Sequence, residues 1–267
     1  MIKHTMSLSA SKMLDYYQCK EKFKVAHIQR GIEFVETAET LRGKKEHSIL
    51  EECFKLKEVT AEAKVTFNEQ TLELAERIVN LDAQLFPEIK FGINDNWDCW
   101  PIKQFWDKQP NGTPFYIAGG IDLLVRMGKF STIIDWKSGK PYKGFDSWVG
   151  KFKKVSAIEK AVQSKTFQLD LYALAEFLMN PECEAIKALY RFTTTDITLE
   201  LVYTRDDDFE RLLAMFMQIT TEIWTQVANF PDASYTAHAL ATISPLCSWC
   251  GHRERCIPYN KTIGGAA

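Results

Sequence analysis

Two aspartates, a lysine and four cysteines have the types and spacing that could do chemistry in this chain. Asp122 closes Gly119-Gly120-Ile121-Asp122, and Asp135-Trp136-Lys137 begins thirteen positions later. Each aspartate lies in an apolar stretch with the alternation of a strand. Period two sets Asp122 on one face and Ile121, Leu123 and Val125 on the other, while Asp135 and Lys137 share a face and Trp136 points backwards. Pairing the two stretches as a hairpin would bring the Asp135 and Lys137 face beside Asp122. Isolated buried charges are strongly unfavourable, so two carboxylates and an ammonium at the end of an apolar hairpin need a counterpart. A divalent cation supplies one, and hard carboxylate oxygens suit Mg²⁺ or Mn²⁺. A surface hairpin with an Asp–Lys ion pair accounts for the same spacing. At the other end of the chain, Cys247-Ser248-Trp249-Cys250 and then Cys256 place three thiols close together. Three thiolates leave a fourth position of a metal site open, and Cys19 can fill it.

The elements that must position these residues follow from periodicity. Leu8, Met13, Leu14 and Tyr17 read as a short helix with Ser9 or Ser11 near its start, interrupted around Cys19. A second helix runs from about Ala38 to Leu56 and contains His47, and a third from about Glu69 to Phe86. The stretch Glu88 to Ile93 alternates as a strand, and Pro101, Pro110-Asn111-Gly112 and Pro114 mark loops. Phe115 to Val125 and Phe130 to Trp136 read as strands joined by a Met127-Gly128-Lys129 turn. Ser164 to Met179 is a helix with the stripe Phe167, Leu171, Leu174, Leu178. Ala185 to Phe192 and Ile197 to Thr204 form another strand pair, and Asp206 to Val227 a long helix. Strands interleaved with helices predict an α/β fold, a central mixed sheet with helices around it. The sequence divides into an N-terminal segment (1–36), a core (37–204) and a C-terminal helix with its cysteine-bearing tail (205–267) within one domain.

Composition narrows the classes. With 267 residues, 46% hydrophobic and 25% charged, the chain reads as an ordinary globular one and not as disordered or collagen-like. No apolar run has membrane-spanning length, so no membrane association is expected. The first residues lack the pattern of a secretory signal, which predicts a cytoplasmic location with reduced thiols. The net charge of −2 leaves a local nucleic-acid-binding groove open.

The bipartite Asp122 and Asp135-Trp136-Lys137 arrangement resembles the motif of the PD-(D/E)XK nuclease superfamily. It is most similar to the RecB-like exonuclease branch, in which a Gly-x-x-x-His on an early helix precedes the hairpin and a Gln-x-x-x-Tyr helix follows it. Here Gly43-Lys44-Lys45-Glu46-His47 and Gln168-Leu169-Asp170-Leu171-Tyr172 occupy those places. The resemblance implies a restriction-endonuclease-like core and a metal-dependent DNA exonuclease. Asp122, Asp135, the Trp136 carbonyl and His47 would ligate Mg²⁺ or Mn²⁺, Lys137 would orient water or stabilise charge, and Gln168 and Tyr172 would position the motif or the DNA. One early cysteine and a later C-x₂-C-x₅-C resemble the AddB-like and CRISPR-associated members, in which Cys19, Cys247, Cys250 and Cys256 would hold a [4Fe–4S] cluster and join the two chain ends. Zinc on the same cysteines, or with His252, is the competing metal. Cys53, Cys99 and Cys183 read as ordinary thiols.

The resemblance implies DNA ends or single strands as substrate, in recombination, repair or phage DNA processing. A non-catalytic DNA-binding partner that kept the fold is the alternative. No helicase phosphate-binding loop is found in the sequence. From Lys137 to Lys154, six lysines and one acid interleave with aromatics, so Lys143, Lys151, Lys153, Lys154 and Trp148 are candidate contacts to phosphates and unpaired bases. A solvated loop with inward-packed aromatics fits the same composition.

Overall fold

A computed structural model describes residues 6–31, 36–139, 157–162, 164–195, 197–228, 243–244, 247–248, 250–256 and 259–260. Helices α1 (Ala10–Gln18) and α2 (Lys20–Phe23) lead into a π-helical turn at Lys24–Ile28. Helices α3 (Ala38–Leu56), α4 (Ala61–Thr66) and α5 (Glu69–Val79) follow. Then come strands β1 (Gln84–Ile93), β2 (Cys99–Ile102), β3 (Ile117–Met127) and β4 (Phe130–Lys137). Helices α6 (Ala157–Val162) and α7 (Phe167–Met179), strands β5 (Ala185–Phe192) and β6 (Thr198–Thr204), and helix α8 (Arg205–Ala228) complete the described core.

The six strands form one mixed sheet in the order β2-β1-β3-β4-β5-β6, in which β4 and β5 are parallel and every other neighbouring pair is antiparallel. One face carries Phe91, Ile93, Leu124, Ile133, Ile186 and Ala188 against α1, α7 and α8. The other carries Leu123, Val125, Ile134 and Trp136 against α3, α4 and α5. Burial on both faces makes this the α/β sandwich of helices around a sheet that the periodicity predicts. Among the described residues, no helix is long and apolar enough to cross a membrane.

Local signals explain most boundaries. The side chains of Thr37, Thr60 and Asn68 each accept a hydrogen bond from a backbone N–H three residues on, starting α3, α4 and α5. The predicted third helix ends at Val79, not Phe86, because Leu85 and Phe86 are drawn into β1 by pairing with Val125 and Leu124. Strand β2 was expected to be loop because of Pro101. As an edge strand it needs only one hydrogen-bonded side, and Pro101 sits opposite Phe91 without disrupting the sheet.

Candidate metal centre

The register across three strands builds the site. Pro87 pairs with Leu123 and Ile89 with Ile121, which sets Glu88 opposite Asp122. The ladder between β3 and β4 ends at Leu123 and Ile134, so Asp122 and Asp135 fall in the next row, and Asp135 pairs on its other side with Tyr190. Glu88, Asp122 and Asp135 thus occupy one line across β1, β3 and β4. Backbone pairing lapses in this row on both sides of β3. Glu88 has a left-handed backbone, φ 52°, which carries a cost for a residue with a side chain and breaks the strand's regularity.

The same break corrects the face assignment. Ile121 packs in the cluster under α7, whereas Leu123 and Val125 pack in the cluster under α3. Strict alternation would put all three together, so the pleat changes phase at Asp122. Its carboxylate turns to the unpaired edge of β4, where Oδ2 accepts a 2.7 Å hydrogen bond from the Trp136 backbone N–H. From α3, His47 Nε2 donates to the Trp136 carbonyl at 2.8 Å, and His47 Nδ1 lies 3.4 Å from Asp122 Oδ2. Helix α3 passes close to Ser138 at Gly43, one turn before His47. A Cβ there would lie 2.8 Å from Ser138 Oγ.

Among the described residues, His47, Glu88 and Asp122 are the one group of three whose candidate ligand atoms all lie within 4.8 Å of one another. Glu88 is the member that sequence reasoning missed. Its signal was an acid inside the apolar run Leu85 to Ile93, read there only as the start of a strand. Burial, then the charges of Asp122 and Glu51, push the Glu88 carboxyl up to about 7. Burial works against a charged His47, but the Asp122 and Asp135 carboxylates and the Trp136 carbonyl outweigh it and raise His47 to about 9. Asp135 is 2% exposed, and burial raises its pKa against the opposing pull of Lys137, with which it forms an ion pair. The donors form an excess of anionic oxygen around one imidazole, a set that fits a hard divalent cation. An open groove of about 460 Å³ runs from His47 and Glu88 past Gly43, Lys44, Glu51 and Ser138.

Lys137 connects this cluster to α7. Its Nζ donates to Gln168 Oε1 at 3.1 Å and lies 4.8 Å from the Tyr190 ring centroid. Gln168 Nε2 in turn donates to the Tyr172 hydroxyl at 2.5 Å, and Tyr172 is 5% exposed. The seven predicted residues of the catalytic and metal set fall into two contact groups, His47, Asp122 and Trp136 in one and Asp135, Lys137, Gln168 and Tyr172 in the other, joined along β4 at Asp135-Trp136-Lys137. Lys143, Trp148, Lys151, Lys153 and Lys154 lie outside the described residues.

This chain matches the family model of the PD-(D/E)XK nuclease superfamily over residues 7–257. It belongs to that superfamily. Among curated proteins, none matches the chain. A solved structure described as the crystal structure of SSO0001 aligns over 96% of this chain and 89% of that one, at 14% identity and a TM-score of 0.36. Members of the superfamily use divalent metals, in keeping with the donor set around His47.

None of the four cysteines belongs to this cluster. Cys19 ends α1, with its N–H on the Asp15 carbonyl at 2.9 Å. In the tail, Cys250 N–H bonds the Cys247 carbonyl at 3.1 Å, and Ser244 N–H reaches Cys247 Sγ at 3.3 Å. His252 Nε2 lies 3.8 Å from Glu21 Oε1, which brings the tail against α2. Burial chiefly raises the Cys256 thiol, with Cys19, Cys247 and Cys250 as smaller causes. They do not form a group of ligand atoms as tight as that of His47, Glu88 and Asp122. Cys53 and Cys183 are fully buried, in keeping with the reading of them as core thiols.

Proposed function

We propose that this nuclease is a divalent-metal-dependent deoxyribonuclease that acts as an exonuclease on DNA ends or single strands in recombination, repair or phage DNA processing. The observation that carries the reading is the convergence of His47, Glu88 and Asp122 beside the Asp135–Lys137 pair. Asp122, Asp135, His47 and the Trp136 carbonyl would hold Mg²⁺ or Mn²⁺, with Glu88 as a further carboxylate. The bound metal supplies Lewis-acid polarisation of a phosphate oxygen and a lowered pKa for water. A water oxygen forms the new bond to phosphorus, its proton leaves to a basic group, and the bond to the departing sugar oxygen breaks as that oxygen takes up a proton.

Lys137, on the Asp135 face, would orient the attacking water or stabilise the additional negative charge of the transition state. Gln168 accepts from the Lys137 ammonium, and Tyr172 anchors Gln168, so both act as positioning residues for Lys137. The reading extends to a [4Fe–4S] cluster on Cys19, Cys247, Cys250 and Cys256 that ties the two chain ends together. Cys19 closes α1, and the His252–Glu21 contact sets the cysteine-bearing tail against α2, so the two segments that carry these thiols meet.

The deciding experiment digests end-labelled and circular DNA, single- and double-stranded, with anaerobically purified protein and each metal in turn. Cleavage that needs a free end and Mg²⁺ or Mn²⁺, and that Asp135→Ala abolishes, is the expected result. Full cleavage by Asp135→Ala protein would refute the assignment, and cutting of circles would refute the exonuclease. Iron and zinc analysis of the same preparation tests the cluster, with about four irons per chain expected.

A further inference from the structure

The β2–β3 connection presents two aromatic rings that the core does not use. Phe105 is 48% exposed and Trp106 is 75% exposed. They are held in a defined loop. The Asp107 carboxylate accepts from the backbone N–H groups of Lys103 and Gln104, both at 2.9 Å, and Gln109 Nε2 donates to the Pro114 carbonyl at 2.7 Å. The Phe105 ring lies against Gly120, where an added Cβ would come within 3.1 Å of it, and the Lys90 ammonium sits 5.6 Å from its centroid. Gly120 pairs with Lys90, two residues along β3 and β1 from Asp122 and Glu88, or about 7 Å. An added Cβ on Gly119, the neighbour that points the opposite way, would strike Phe91 of the α7-side core. Phe105 therefore covers the other sheet face, the one on which α3 carries His47.

We propose that Phe105 and Trp106 form a stacking platform for unpaired bases at a DNA end, with Lys90, Lys103 and Lys108 facing the phosphates. This deepens the nuclease reading and rests on it. Every base has a π face, so an ordered exposed ring binds single strands without sequence preference. The charge fits a nucleic acid: Lys90, Lys103 and Lys108 outnumber Asp107, whose carboxylate is held by the backbone N–H groups of Lys103 and Gln104. The cores of protein–protein interfaces are depleted in lysine, whereas here an ammonium lies over the ring itself. Phe105, seated on Gly120, sets a stacked base within about two strand residues, or about 7 Å along the sheet, of the Glu88 and Asp122 row.

The test measures binding in EDTA, where no hydrolysis occurs, by fluorescence anisotropy of a short labelled single strand. Trp106→Ala should weaken binding roughly tenfold, and Trp106→Tyr should restore it. The same oligonucleotide with abasic end residues should bind wild-type and Trp106→Ala protein equally. Unchanged binding of the normal strand, or an equal loss on the abasic one, would overturn the platform. Dissociation of a wild-type dimer by Trp106→Ala, with no effect on DNA, would overturn it in favour of a protein contact. Hydrolysis of bis(p-nitrophenyl) phosphate with Mn²⁺ should be the same in both proteins. Its absence in wild type would overturn the nuclease reading and the platform with it, whereas failure of the platform alone leaves it intact.

Discussion

His47 Nε2 donates to the Trp136 carbonyl at 2.8 Å while its Nδ1 lies 3.4 Å from Asp122 Oδ2, so the imidazole bridges two of the groups expected to ligate metal. The carboxylates that raise His47 to about 9 are the groups that a cation would neutralise. That arrangement makes metal binding and protonation compete.

The competition has a definite sign. His47 is raised from 6.5 to about 9 and Glu88 from 4.5 to about 7, so the folded protein binds more protons than the unfolded one over that span. Stability contributed by charged His47 is complete below about pH 6.5 and lost as pH rises through 9. Neutral Glu88 likewise favours the fold at low pH, and that advantage fades between 4.5 and 7. Melting temperature without metal should therefore fall from pH 6 to pH 9, and the increment on adding Mn²⁺ should grow over the same range. Melting curves at matched ionic strength, with and without Mn²⁺, measure both slopes, and His47→Ala should flatten each.

Glu88 gives the second prediction. Glu88→Gln should weaken Mn²⁺ binding by at least about tenfold in calorimetry, the scale found when a group supporting a metal site is lost. The metal-free variant should be no less stable than wild type at pH 8, because the substitution removes a carboxylate that burial and its acidic neighbours disfavour. A large loss of stability with unchanged metal affinity would make Glu88 a structural residue instead.

The contrast between Glu88 and Asp135 shows what the sequence could reveal. Asp135 and Lys137 are two apart on one strand, so local periodicity alone puts them on one face, and the hairpin turn brings Asp122 near them. Glu88 joins through a register set by a strand lying beyond the intervening loops, and through a left-handed backbone that no pattern of residue types announces. The phase change at Asp122 was hidden for a related reason: Ile121 and Leu123 are both apolar, so composition cannot tell which core each enters. Helix α7 was legible as an amphipathic stripe, yet it is buried nearly all round, including Glu176. A buried acid paired with a residue fifty positions away leaves no local signature.

Gly43 tests whether α3 must approach Ser138 to deliver His47. A Cβ there would meet the Ser138 hydroxyl, which can rotate, while Ala gains about 1 kcal/mol in helix propensity. Gly43→Ala should therefore be close to neutral in stability and in metal affinity. Gly43→Leu cannot be relieved by a rotating hydroxyl and should push α3 outward. The expected result is a fold that still melts cooperatively but binds Mn²⁺ at least about tenfold more weakly, because His47 is displaced from the Trp136 carbonyl.

The last prediction concerns what keeps α7, and with it Gln168 and Tyr172, against β3 and β4. Glu176 is 0% exposed, and its carboxylate takes two hydrogen bonds from the Arg126 guanidinium on β3, at 2.8 and 2.7 Å. Ser131 on β4 donates a third at 2.7 Å. The carboxylate thus clamps the far end of α7 to both strands of the hairpin that bears Asp122 and Asp135. Removing one partner of a buried pair leaves the other charge uncompensated, at a cost of about 3–5 kcal/mol. Glu176→Ala should lower stability by that order in chemical denaturation, whereas Arg126→Met with Glu176→Leu should recover much of it, since apolar groups of similar size leave no orphaned charge. If the double variant is stable yet cleaves DNA poorly with normal metal affinity, the clamp serves the alignment of Gln168 and Lys137 as well as the fold. Cleavage at the wild-type rate would confine Glu176 to stability.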